Sequence, residues 1–217
     1  MEKKYKLTEE TINVNGKTLY RIEALKDFGD VKKGDKGGFI EKECNLSQSG
    51  DCWVYGNAKV YNNAKVFDYA DIYGNAEVFG NAIISGNARV YGNAKVYHYA
   101  MVYEDAEVYD NAKVFGNAEI YDNAKVYGNA EICGNAEICG NAEIATDADY
   151  IVFKNWWSSG RYFTWTKAND MWKVGCFYGT GEQLIEKAYR DSEKSGREYE
   201  RVVKYVESIL KHNNADV

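Results

Sequence analysis

The chain has no proline, only two histidines and no run of 18 apolar residues. The last absence predicts that no helix of this chain spans a membrane. An excess of positive charge is also missing. Lys and Arg number 27 against 33 Asp and Glu, a net charge of −6, so no global signal points to duplex nucleic acid or a membrane surface. The five cysteines (Cys44, Cys52, Cys133, Cys139 and Cys176) are odd in number and contain no C-x-x-C pair. That pattern predicts neither a disulfide framework nor a zinc site, but free thiols in a reducing, cytoplasmic compartment. The opening residues Met1-Glu2-Lys3-Lys4-Tyr5-Lys6 have no apolar run behind them and do not read as a signal peptide. The 217 residues suffice for one medium domain, or one domain with an appendage. What is abundant is tyrosine, 19 in all; both this and the missing proline follow from a repeat.

From Val54 to Asp149 the sequence is sixteen uninterrupted hexads. Position one is Val or Ile in every copy, from Val54 and Val60 to Ile138 and Ile144. Position five is Ala in every copy, from Ala58 to Ala148, and position four is Asn in twelve. Position three is often Gly and position two mostly Tyr or Phe. A period of six fits neither an amphipathic helix nor a long alternating strand. It fits strands of about three residues joined by tight corners, with Val pointing in and its neighbours out. Gly and Asn are expected to turn the corners, where positive φ is tolerated, and Ala to fill their inner side. Three hexads close a triangular coil. The segment therefore predicts a mainly β fold, a parallel β-helix of about five coils, roughly 25 Å long at about 4.8 Å per coil.

Position two recurs on one face every 18 residues. The first face carries Tyr55, Tyr73, Tyr91, Tyr109 and Tyr127, and the third carries Phe67, Ser85, Tyr103, Tyr121 and Cys139. The second carries Tyr61, Phe79, Tyr97, Phe115 and Cys133. Such columns stabilise neighbouring strands. The hexads of the second face also hold Ile83 and Met101 at position six, where the other hexads hold charged residues. Tyr61, Phe79, Ile83, Tyr97, Met101 and Phe115 therefore read as an apolar packing surface, for a second subunit or for the C-terminal segment.

With an aliphatic residue at position one and a small one at position five, the segment resembles the hexapeptide-repeat, left-handed β-helix family. The left hand is what that resemblance implies, with a right-handed, bactofilin-like helix as the competing reading; assembly into homo-oligomers, trimers above all, is implied as well. Residues 1–53 do not repeat. Asn15-Gly16 marks a hairpin between Thr11–Val14 and Thr18–Ala24, and Ile40 and Leu46 begin an irregular coil. An open β-helix end exposes unpaired backbone, so this segment reads as an N-terminal β cap. Its Leu19-Tyr20-Arg21-Ile22-Glu23-Ala24-Leu25-Lys26-Asp27-Phe28, Gly37-Gly38-Phe39-Ile40-Glu41 and Gly50-Asp51-Cys52-Trp53-Val54-Tyr55 resemble bacterial and phage hexapeptide-repeat proteins, often described as acyltransferases without a demonstrated reaction.

Residues 150–217 form a separate small α+β module. Ile151–Asn155, Arg161–Thr166 and Met171–Phe177 predict three short strands. Thr180…Gln183 and Ser195…Glu198 are capping boxes opening two helices. Trp172-Lys173-Val174-Gly175-Cys176-Phe177-Tyr178-Gly179-Thr180 resembles a small module of phage-encoded proteins.

Chemistry is scarce. The acyltransferases of the family use a histidine as general base, and the candidates are His98, at a coil corner, and His212, in the tail. No inserted loop between hexads helps to enclose an acyl donor. The family's γ-carbonic anhydrases need three histidines. No cofactor or metal is expected, and no P-loop or dinucleotide fingerprint occurs. The densest binding constellation is in the C-terminal module: Arg161 and Lys173 with Trp157, Trp165, Trp172 and Tyr178, and Thr180 opening a helix whose amides suit an anion. These residues predict a nucleotide-like ligand. The sequence thus reads as a non-enzymatic binding or scaffold protein. Its phage-like ends imply counter-defence in a host cytoplasm, by sequestering a small nucleotide or blocking a host protein. An acyl-CoA-dependent transferase with His98 as base is the alternative.

Overall fold

A computed structural model describes residues 3–156 and 158–215, with side chains of the last helix described up to Lys211. The chain divides into two compact units, residues 1–149 and 150–217.

The first unit is a triangular parallel β-solenoid. Each hexad contributes a two-residue rung whose second member, the position-one Val or Ile, is wholly buried. Rungs stack in register every 18 residues, as Lys95–Val96 does between Glu77–Val78 and Lys113–Val114. Backbone bonds run from coil to coil, for example from the Tyr55 amide to the Ile72 carbonyl at 2.8 Å. A ladder that uses an amide at nearly every rung position leaves no place for proline.

The corners are tight turns closed by the position-five amide donating to the position-two carbonyl, as Ala58 does to Tyr55 at 3.1 Å. Only position three has positive φ, from Gly56 at 57° to His98 at 59° and Gly140 at 65°. The position-four asparagines do not share it, which corrects the expectation that both residues need the left-handed region. Asn is used there for its side chain: Asn75, Asn93, Asn111 and Asn129 form a ladder in which each Nδ2 donates to the next Oδ1. Position-five Ala is fully buried from Ala58 to Ala142, but Ala148 is exposed. It sits in a 3-10 turn, Asp147–Asp149, that ends the rod in place of a sixteenth corner. There the Asp149 carboxylate accepts from the amides of Ala145 and Thr146, and Asp147 accepts from Glu131.

The rod has six layers, one more than the hexads alone predict. The extra coil is irregular. Strand β3 (Lys36–Ile40) pairs in parallel with Lys59–Val60, and Leu46 bridges to Val66. Ile40 and Leu46 each lie 20 residues before their partners, so two additional residues between Leu46 and Val54 hide the coil from a six-residue search. Above it, β1 (Tyr5–Val14) and β2 (Lys17–Ala24) form an antiparallel hairpin through Asn15-Gly16, and β2 pairs with β3 to cover that sheet's edge. Lys4 pins the irregular arc. Its buried ammonium donates to the carbonyls of Gly50 and Cys52 at 3.1 and 2.9 Å. Burial lowers its pKa. Tyr5 adds a bond to the Leu46 carbonyl.

The second unit is a four-stranded antiparallel sheet, β4 (Tyr150–Lys154), β5 (Tyr162–Thr166), β6 (Met171–Val174) and β7 (Phe177–Gly179), with helices α1 (Gly181–Asp191) and α2 (Glu193–Ala215). The sequence predicts three strands because Met171–Phe177 reads as one. Gly175, at φ 56°, instead turns the chain so that Val174 pairs with Phe177.

Candidate functional site

On β5 and β6, Phe163, Trp165, Trp172 and Val174 are buried and pack with Leu184 of α1 and Tyr199, Val203 and Val206 of α2. Phe163 meets Trp172 and Tyr199 edge-on, at centroid distances of 6.5 and 4.6 Å. Trp165 and Trp172 are each 2% exposed and directly paired across the strands. They are core residues first, as a thin two-layer unit requires.

Their edges nonetheless floor a cleft of about 290 Å³, walled by Val203, Val206 and Leu210 of α2 and opened by Thr180 and Gly181. Its polar lining is acidic: Asp170, Glu182 and Glu207. Asp170 occupies the hairpin between β5 and β6 at φ 53°, where its Oδ1 accepts the Trp165 indole N–H at 2.8 Å. The start of α1 is already served by its own cap. Thr180 Oγ1 accepts the Gln183 amide, and the Thr180 amide donates to Gln183 Oε1. Glu182 adds a negative charge to the same turn. Gly181 lets α1 approach α2, since a Cβ there would lie 2.6 Å from Val203.

Of the binding residues expected from sequence, this cleft unites Trp165, Trp172 and Thr180. The others do not join it. Lys173 and Tyr178 face each other across β6 and β7, one residue out of step with Trp172, and so lie on the opposite face of the sheet. Tyr178 is 40% exposed and its hydroxyl accepts from Asn169. Arg161 is exposed beside Gly175. Trp157 lies outside the described residues. Asp170, Glu182 and Glu207 were missed as a group because they come from a hairpin and two helices. The only local signal was Glu207, next to Val206 at the edge of the apolar face of α2.

In the solenoid, His98 is exposed at a corner, and its ring packs edge-on against Tyr97 at 4.8 Å. Its φ of 59° is a conformation that costs a non-glycine residue about 1 kcal/mol. No carboxylate orients its ring among the described residues. The side chain of His212 lies outside them.

The expected packing face is divided. Tyr61, Phe79, Tyr97 and Phe115 form one stack on the second face, with centroids 4.9–5.0 Å apart. Ile83 and Met101 belong to the rungs of the third face, Ile83–Ile84 and Met101–Val102. The reason is the corner: a position-six residue comes after the turn and shares its strand with the next hexad.

A second groove, of about 440 Å³, lies on the first face between Asp30, Tyr55, Asp71, Tyr73 and Arg89. Burial pushes the Asp71 carboxyl up to about 6, against the nearby Arg89 charge and a hydrogen bond with Tyr55.

Sequence comparison agrees with the geometry of the rod. The YdcK β-solenoid repeat matches residues 84–97 and 88–104. The repeats are of the hexapeptide β-solenoid type. A curated relative, the "Uncharacterized acetyltransferase YdcK" of Escherichia coli strain K12, is 49% identical over 37 residues. That stretch is 17% of this chain and 11% of the relative. The chain thus matches about a ninth of that protein, and the likeness supports a shared repeat architecture.

Proposed function

We propose that this protein is a non-enzymatic binding protein, a rigid β-solenoid scaffold whose C-terminal unit takes a cationic side chain in the Trp165–Trp172 cleft. The observation that carries this reading is the cleft's lining: an apolar indole floor beneath Asp170, Glu182 and Glu207. The carboxylates attract ammonium and guanidinium groups and repel phosphates, and the indole floor packs the methylene stem that carries such a group. A nucleotide-like ligand is therefore disfavoured relative to a basic group. A volume of 290 Å³ suits one side chain rather than a dinucleotide. Of the two counter-defence routes implied by resemblance, blocking a host protein through an exposed Lys or Arg fits this chemistry better.

The test is a titration of the full-length protein with agmatine and with AMP, read by tryptophan fluorescence. The reading expects a saturable change with agmatine, weakened at least about five-fold by Asp170→Asn or Glu207→Gln, and none with AMP. A saturable response to AMP, or no response to agmatine, overturns it.

A further inference from the structure

The outward position-six column differs from face to face. On the second face it runs Lys59, Glu77, Lys95, Lys113, Glu131, and on the first Asp71, Arg89, Glu107, Lys125, Glu143. Both columns pair opposite charges between adjacent layers: Lys59 with Glu77, Lys113 with Glu131, Arg89 with Glu107 and Lys125 with Glu143. The third face breaks this rule. Its column runs Lys65, Ile83, Met101, Glu119, Glu137, with one cation, two apolar residues and then two anions in successive layers. Lys65 and Glu119 are three layers apart, about 14 Å at the usual strand spacing, too far to pair within the chain. Lys65 is exposed and forms no ion pair among the described residues.

We propose that the third face binds a second copy of this chain, with the two rods antiparallel about a twofold axis that lies across the rods between the Ile83 and Met101 layers. That axis exchanges the second and third layers of the face, and the first and fourth. Ile83 then meets Met101 of the other copy, and Lys65 meets its Glu119, twice by symmetry. The neighbouring position-two column is complementary in the same register. Ser85, the one small residue between Phe67 and Tyr103, falls opposite Tyr103. The ion pairs missing within the chain are thereby made between chains, around an apolar centre. Four layers about 15 Å wide give a face of roughly 300 Å² per copy, well below a standard interface, so the dimer is weak and concentration-dependent.

The test is sedimentation equilibrium of the full chain at increasing concentration. Wild type should shift from monomer to dimer. Lys65→Glu alone and Glu119→Lys alone should each weaken association at least about ten-fold. Mixed together, those two variants should form a heterodimer, because each then meets its opposite charge; the double variant should recover self-association. A strict monomer, a trimer, or a mixture that does not associate overturns the proposal. So does a monomer whose melting temperature alone responds to the charge reversals, since the face would then be covered within the chain. Circular dichroism on each variant keeps loss of folding distinct from loss of the interface.

Discussion

At position three of each hexad the corner demands positive φ, and the side chains other than glycine found there contribute something in return. Asp68, Asp110 and Asp122 each accept the position-three amide of the layer above, from Gly86, Gly128 and Gly140. His98 instead lays its ring against Tyr97 and Phe115. Neither use was visible in the sequence, which shows only that these residues stand where glycine is commonest. Asp71 carries the clearest consequence at this scale. Its carboxyl is pushed from the ordinary 3.8 to about 6, mainly by burial. Between about pH 4 and 6 the folded protein keeps a proton that the unfolded chain has released. Stability therefore falls as pH rises through that window, and the loss is complete above it. Asp71→Asn should remove this slope and raise the melting temperature at pH 7.5 by roughly 2 °C. Parallel melting-temperature profiles from pH 4 to 8 for wild type and variant check it. Identical slopes would show that Asp71 titrates normally.

At the scale of elements, the helix starts show how far local pattern carries. Thr180 and Gln183 form the reciprocal cap expected of them. The second helix starts three residues earlier than its Ser195…Glu198 pattern implies, because Ser192, immediately after α1, accepts the Ser195 amide at 3.1 Å. Tertiary packing chose between two equally good local caps. Gly196 would place a Cβ 2.3 Å from the Tyr189 ring, so the start of α2 closes tightly on α1. Ser192→Ala should therefore cost about 1 kcal/mol in denaturant unfolding, while Ser195→Ala should cost much less. The reverse order would restore the later start. The strands behave alike: every regular rung was legible from its hexad. The extra coil was not, because 20-residue spacing and pinning by Lys4 and Tyr5 depend on residues more than 40 positions away.

At the scale of the whole molecule, two compact units imply two cooperative transitions. Trp172→Ala, deep in the second unit, should destabilise that unit by about 3–5 kcal/mol and leave the solenoid transition in place. Differential scanning calorimetry reads both together, and a single transition that shifts as a whole would show one cooperative body. The sequence by itself determined the solenoid, because a six-residue period with buried Val and Ala closes three corners per coil and stacks the coils in register. It also determined the helical and sheet character of the second unit. Only the tertiary structure decided what the side chains do together. It gathered Asp170, Glu182 and Glu207, distant in sequence, around one cleft. It also moved Ile83 and Met101 from the second face to the third, since a corner lies between a position-two residue and the position six that follows it. Periodicity fixes each residue's orientation within its own repeat. Which groups become neighbours is set by chain closure over many repeats, and the site and the docking face both follow from that.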